Sequence, residues 1–335
     1  MRSPLLLFLS SALLACSASA TDGDASGGGE DDYTKKGRLQ LLVTVDWEGR
    51  DLRDDNLAAM QDLHAKFPQI KVINFLNAAY YTKSGAQKDD VTARIQRGLG
   101  PSDEKGLHIH GWKSLFEAAG VTFKNTPTFW GTTLQPQDCL FDCGHEVPIS
   151  EYTTDDLRKV VKLSLDTLES NGFGRAKSFR TGGWMAKQNV RDAVAAEGLV
   201  SEQSAVPVEF LKPQLGAYPV YGWLGDLWKD TTRTSQPYVV DTASAPLLEI
   251  PDNGCLSDYV SAQQMVDVFE ANKAAFLADR SKNVVVSIGF HEETASMYVP
   301  VLEEALGRIF EEVQTEKLPL DSVTSDAIAS ASATK

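Results

Sequence analysis

The chain has 335 residues, with 32 Lys and Arg against 46 Asp and Glu, for a formal net charge of −14. Hydrophobic residues at 42% and aromatic residues at 9% exclude a disordered or fibrous chain and suffice for a sizeable core. The acidic balance excludes nucleic acid as the main partner, since phosphate binding needs a basic footprint, and past the N-terminus no apolar run approaches the roughly 18–20 residues of a membrane span.

Residues 1–15 read as a secretory signal, because Arg2 precedes an uncharged apolar run from Leu5 to Ala15. The run ends Leu13-Leu14-Ala15-Cys16, which resembles a bacterial lipoprotein box. Cys16 is therefore the expected lipidation site, and its lipid the only membrane attachment expected. An ordinary signal peptide cut near Ser17-Ala18-Ser19-Ala20 is the alternative. Either form predicts an exported protein of the cell envelope, periplasmic or on the outer surface. Residues 16–36, rich in Ser, Ala, Gly and Asp, read as a flexible tether.

From Gly37 on, β-rich runs at 39–45, 71–76, 106–109, 177–179, 238–240, 247–250 and 283–290 alternate with helical patterns at 52–67, 153–171, 187–197, 262–277 and 298–313. In 153–171 the apolar residues Leu157, Val160, Val161, Leu165 and Leu168 recur every three or four positions, behind the capping oxygens of Thr153 and Thr154. This alternation predicts an α/β fold with parallel strands and crossover helices, a doubly wound sheet or a barrel, over residues 37–323. Residues 324–335, rich in Ser and Ala, read as a disordered tail. Cys139 and Cys143 can close a small loop in an oxidising compartment, leaving Cys255 unpaired. With His145 they can also suggest zinc, but no second Cys/His pair lies nearby.

Ionisable residues recur where the apolar runs end. Leu41–Val45 leads into Asp46-Trp47-Glu48-Gly49, Leu107 into His108-Ile109-His110-Gly111-Trp112, and Phe179 into Arg180-Thr181-Gly182-Gly183-Trp184; Leu248 leads into Glu249, and Phe290 into His291-Glu292. In parallel α/β barrels, that end of the strands is where active sites are built. Residues two apart on a strand face the same way, so Asp46 can pair with Glu48, and His108 with His110. Two imidazoles and a carboxylate form a catalytic zinc set with positions left for water and substrate. The plainer reading makes the carboxylates turn or cap acceptors and the imidazoles structural. His64 and His145 read as structural, and Trp130, Trp223 and Trp228 stay unassigned.

These stations, in this order, resemble the polysaccharide deacetylase family, the NodB homology domain of carbohydrate esterases, over most of residues 39–310. Thr44-Val45-Asp46-Trp47-Glu48-Gly49 resembles its first motif, His108-Ile109-His110 its metal-histidine motif, Arg180-Thr181-Gly182-Gly183-Trp184 the third, and Ile288-Gly289-Phe290-His291 the last. The resemblance implies a distorted (β/α) barrel of the NodB-homology type, with one divalent metal, typically zinc, that removes acetyl groups from a polysaccharide. It implies Asp46 as general base, Arg180 as the group holding Asp46, and His291 as the acid that protonates the leaving amine. The chain departs from the pattern twice. Trp47 stands where the second acidic residue usually follows the first, so side-chain direction assigns the ligand role to Glu48. The metal histidines, usually four apart, are here two apart, so His110 is the second ligand on geometry. Two other readings remain: a non-catalytic glycan-binding lipoprotein on the same barrel, and a metal-free glycoside hydrolase using Asp46 and Glu48.

Overall fold

Parallel strands covered on both faces need near-continuous apolar runs, and β1 (Leu39–Asp46) is of this kind, buried at every position except Gln40. The computed structural model describes residues 36–333. The expected signal segment, the Cys16 lipidation site and residues 16–35 of the tether lie outside the described residues. The remaining strands are β2 (Val72–Asn77), β3 (Glu104–Ile109), β4 (Ser178–Thr181), β5 (Ser201–Glu202), β6 (Tyr238–Val240), β7 (Leu247–Glu249), β8 (Val284–His291) and β9 (Leu320–Ser322). They form one sheet in the order β6-β7-β5-β4-β3-β2-β1-β8. All pairings are parallel except β6 with β7. β9 pairs with the first residues of β1, Leu39 opposite Leu320, before the β2 pairing begins at Val43.

The sheet curls into a distorted (β/α) barrel wrapped by helices. Its irregular seam lies on the open side of β8. There Gln236 and Asn253 take the place of a neighbouring strand: Val285 N–H donates to Gln236 Oε1 (2.7 Å), and Ser287 N–H to Asn253 Oδ1 (2.9 Å). Both side-chain amides in turn donate to Val285 O. Further up, Gly289 N–H donates to Cys255 O, and Ser257 N–H to Gly289 O.

The helices follow local rules. Thr153 caps Thr154–Ser170 by accepting from Asp156 N–H, and a Ser261/Gln264 capping box opens Ala262–Ala278. Asp54–Lys66 carries Asp54 and Asp55 in its first turn and His64 and Lys66 in its last, complementing the helix dipole. The two-residue β5 and the short β9 give no periodic signal and were not expected.

The expected disordered tail needs correction: Ser325–Ala333 is a helix. Composition hides the reason, because the anchoring comes from a single large apolar residue together with polar contacts at the helix start. Ile328 sits among Leu42, Ile73, Phe75, Leu248, Ile250 and Val285. Gln203 Nε2 donates to Ser325 Oγ, and Asp326 N–H to Glu104 Oε2 (3.1 Å).

Candidate metal centre

The C-terminal ends of β1, β3, β4 and β8 converge on one cleft of about 550 Å³, whose lining includes Asp46, Glu48, His108, His110, His145 and His291. Asp46 is the last residue of β1, and Glu48 follows on a sharply turned backbone. Gly49 makes that turn at φ 79°, and a Cβ there would meet Asn77 and Trp112 at about 2.9 Å. Trp112 Nε1 (2.7 Å) and Asn77 Nδ2 (3.2 Å) both donate to Glu48 O. Trp47, between the two carboxylates, points into the core and donates to Asn74 Oδ1. The two tryptophans at the departures from the motif pattern are thus buried side chains that fix the Glu48 backbone and its surroundings.

The Glu48 carboxylate is surrounded by imidazoles. His110 Nε2 lies 2.7 Å and His145 Nε2 2.5 Å from Oε2, while His108 Nε2 and His291 Nε2 lie 3.4 and 3.5 Å from Oε1. The opposite nitrogens settle the tautomers. His108 Nδ1 is 2.8 Å from Arg180 O, and His110 Nδ1 is 2.7 Å from His145 O. A carbonyl only accepts, so both Nδ1 atoms carry the proton and donate it. In the neutral rings both Nε2 lone pairs then face a carboxylate, and buried His108 Nε2 has no hydrogen-bond partner. Three acceptors converging with nothing to share between them call for positive charge at their centre. Glu48, His108 and His110 offer ligand atoms within 4.8 Å of one another. The set fits a divalent ion of the zinc type. Without an ion, protons answer the same demand. Burial opposes charge on both partners, yet the imidazoles hold the Glu48 carboxyl well below its ordinary value, and Glu48 raises His110. Burial and the neighbouring His110 hold His145 down to about 3.

Arg180, fully buried on β4, links two carboxylates. Its Nη1 donates to Asp46 Oδ1 and Thr44 Oγ1, each at 3.0 Å, its Nε donates to Gln203 O at 2.8 Å, and its Nη2 lies 3.4 Å from Asp252 Oδ1. His291 ends β8, with Nδ1 3.2 Å from Asp258 Oδ2. Thr294 Oγ1 holds the other oxygen of Asp258. Against burial, Asp258 and then Glu48 and Asp46 push His291 up to about 10.

Of the strand-end residues singled out in the sequence, Asp46, Glu48, His108, His110 and His291 line the cleft, and Arg180 reaches it through Asp46. Glu249 does not. It is buried beside Glu202, accepts from Ser204 and Ala205 N–H, and lies 3.3 Å from Arg191. Asp252, Asp258 and His145 were missed. All three come from loops, where no strand-end pattern marks them. The sequence makes His145 structural, its only signal being its place two residues beyond Cys143, whereas the fold puts it in the cleft; Cys139 and Cys143 form a disulfide, and Cys255 is free and buried.

No family model and no curated protein matches the chain. Among solved structures it is similar to the Puue allantoinase, at 14% identity over 89% of this chain and 91% of that one, with a TM-score of 0.50. It is also similar to a candidate polysaccharide deacetylase from Mycobacterium smegmatis, at 11% identity over 89% and 91% with a TM-score of 0.49. A third match is a family 4 carbohydrate esterase from Streptomyces lividans in complex with acetate, at 11% identity over 86% and 92% with a TM-score of 0.41. At these identities the likeness concerns the fold.

Proposed function

We propose that the protein is a metal-dependent hydrolase that removes N-acetyl groups from an envelope or extracellular polysaccharide, exported and anchored through a lipid on Cys16. The observation that carries this reading is the convergence of the Glu48 carboxylate with two imidazole Nε2 atoms whose Nδ1 protons are committed to backbone carbonyls.

Glu48, His108 and His110 would hold the divalent ion, most simply zinc. When bound, such an ion polarises an amide carbonyl and brings the pKa of water toward about 7. Asp46, kept in place by the Arg180 guanidinium, accepts the proton of the attacking water. Because Arg180 also faces Asp252, a second carboxylate balances the buried cation when Asp46 becomes neutral. His291 is held protonated by Asp258 and delivers the proton that lets the amine depart. The two proton-handling residues are neighbours across the β1/β8 ladder, where Asp46 is opposite His291.

The glycan-binding alternative draws on Trp47 and Trp112 as sugar platforms, but both rings are almost wholly buried and donate to Asn74 and to Glu48 O. The glycosidase alternative leaves the paired imidazoles without a task. The test is metal content together with acetate release from a panel of N-acetylated glycans, with and without chelator. About one equivalent of zinc and chelator-sensitive acetate release are expected. Tight metal and glycan binding without acetate release across the panel favours the binding protein, and chelator-insensitive cleavage of glycosidic bonds favours the glycosidase.

A further inference from the structure

Glu48 and His110 share a neighbour that belongs to neither strand. His145 follows the Cys139–Cys143 disulfide by two residues, and it meets the site in three ways. Its Nε2 lies 2.5 Å from Glu48 Oε2, its carbonyl accepts the His110 Nδ1 proton at 2.7 Å, and its ring stacks on His110 with centroids 3.9 Å apart and planes 8° from parallel. We propose that His145 is a positioning residue of the metal centre, and that the disulfide-closed loop in front of it is the clamp that places it. The inference rests on the metal-centre reading above.

Proton bookkeeping separates positioning from ligation. Arg50 Nη2 lies 3.5 Å from His145 Nδ1. A guanidinium only donates, so Nδ1 is the acceptor and the ring proton sits on Nε2, donating to Glu48 Oε2. That bond fixes the carboxylate and leaves Oε1 toward His108. The stacked rings of His110 and His145 both turn Nε2 toward Glu48 Oε2, at 2.7 and 2.5 Å, but in different protonation. One carries a lone pair and the other a proton.

The loop is built to hold this position. Its tip receives no apolar anchoring, for Leu140 is 81% and Phe141 92% exposed. It is fixed at its base instead. Asp142 accepts from Ser114 N–H and Oγ, from Cys143 N–H and from Lys83 Nζ, and Lys113 N–H donates to Cys143 O. Gly111, between the paired histidines and Trp112, lets the loop approach. A Cβ there would lie 2.6 Å from Val147 O and 2.7 Å from Gly144 O.

The test is zinc affinity of the full chain by competition with a chromophoric chelator, together with the visible absorption of the cobalt-substituted protein. His145→Ala is expected to weaken zinc by about 10–100-fold, as loss of a residue that orients a ligand does, and to alter the cobalt bands. His145→Gln retains an N–H donor at the same reach but is a poor ligand, so recovery of most of the affinity in this variant supports positioning. Cys139→Ser/Cys143→Ser is expected to weaken zinc in the same direction while leaving every ligand in place. Wild-type affinity and cobalt bands in both His145 variants overturn the proposal. So does a Gln variant as weak as Ala with the spectrum of a lost nitrogen ligand, which makes His145 a ligand. His108→Ala is the control for the underlying reading. If wild type binds zinc no better than this variant, the metal centre itself is wrong and the clamp falls with it.

Discussion

Asp46 carries two interactions that differ in their consequence for catalysis: it faces the cleft, and it is held by Arg180 from behind. Asp46→Asn keeps the shape and removes the base. Zinc content is expected to stay near wild type, while kcat falls by about 10²–10⁴-fold, the usual contribution of a positioned acid or base. Metal analysis beside steady-state kinetics checks this. Near wild-type turnover would assign the base elsewhere. Asp258 acts through another residue, His291, whose Nδ1 it faces at 3.2 Å. The protonated form of His291 is the active one in the proposed reaction, so activity is lost as pH rises through its pKa. Asp258 is the main group that raises that pKa to about 10 against burial. Asp258→Asn is therefore expected to move the alkaline limb of the kcat/KM profile to lower pH by about 1–2 units. An unmoved limb would separate His291 from the proton transfer. At this scale the sequence was informative wherever an apolar strand handed over to a polar side chain, as at Asp46, His108 and His291. It was silent about Asp252, Asp258 and His145, whose partners are brought to them only by the folding of loops around Ser287, Thr294 and Glu48.

Among the elements, the long continuous runs were the most legible, although the 11-residue helix Lys88–Gly98 was not expected and the three-residue strands β6 and β7 were. The eight-residue β1 and β8 and the 17-residue helices Thr154–Ser170 and Ala262–Ala278 lie within a few residues of their expected bounds, since each buries a continuous run or an apolar stripe. β5 has two residues, too few for any period, and exists because β4 and β7 flank it. The helix Ser325–Ala333 shows the same limit from the other side: its alternating Ala and Ser present no wide apolar stripe, and tertiary contact through Ile328 docks it. Ile328→Ala is expected to cost about 2–4 kcal/mol in urea unfolding, the range for truncating a buried branched side chain, with zinc affinity of the folded protein unchanged. A loss below about 0.5 kcal/mol would mean that the helix does not stay docked.

For the molecule as a whole, the buried carboxylate pair beside the site has a cost that varies with pH. Burial and then the nearby Glu202 raise Glu249 well above its ordinary 4.5. Between the unfolded and the folded pKa the folded protein binds the extra proton, so unfolding stability is highest below the unfolded value and falls as pH rises. Glu249→Gln removes that proton linkage. Stability measured by urea unfolding from pH 5 to 8 is expected to decline less steeply in the variant than in wild type, and parallel slopes would show that Glu249 is not the group responsible. The seam along β8 has a different consequence. An unpaired strand edge is a template on which a second chain can add a strand. In this barrel the lower half of that edge is covered by the side-chain amides of Gln236 and Asn253 rather than by another strand. Protection against intermolecular strand addition, and hence against aggregation under mild heating, therefore rests there on two side chains that touch neither the proposed substrate nor the metal ligands.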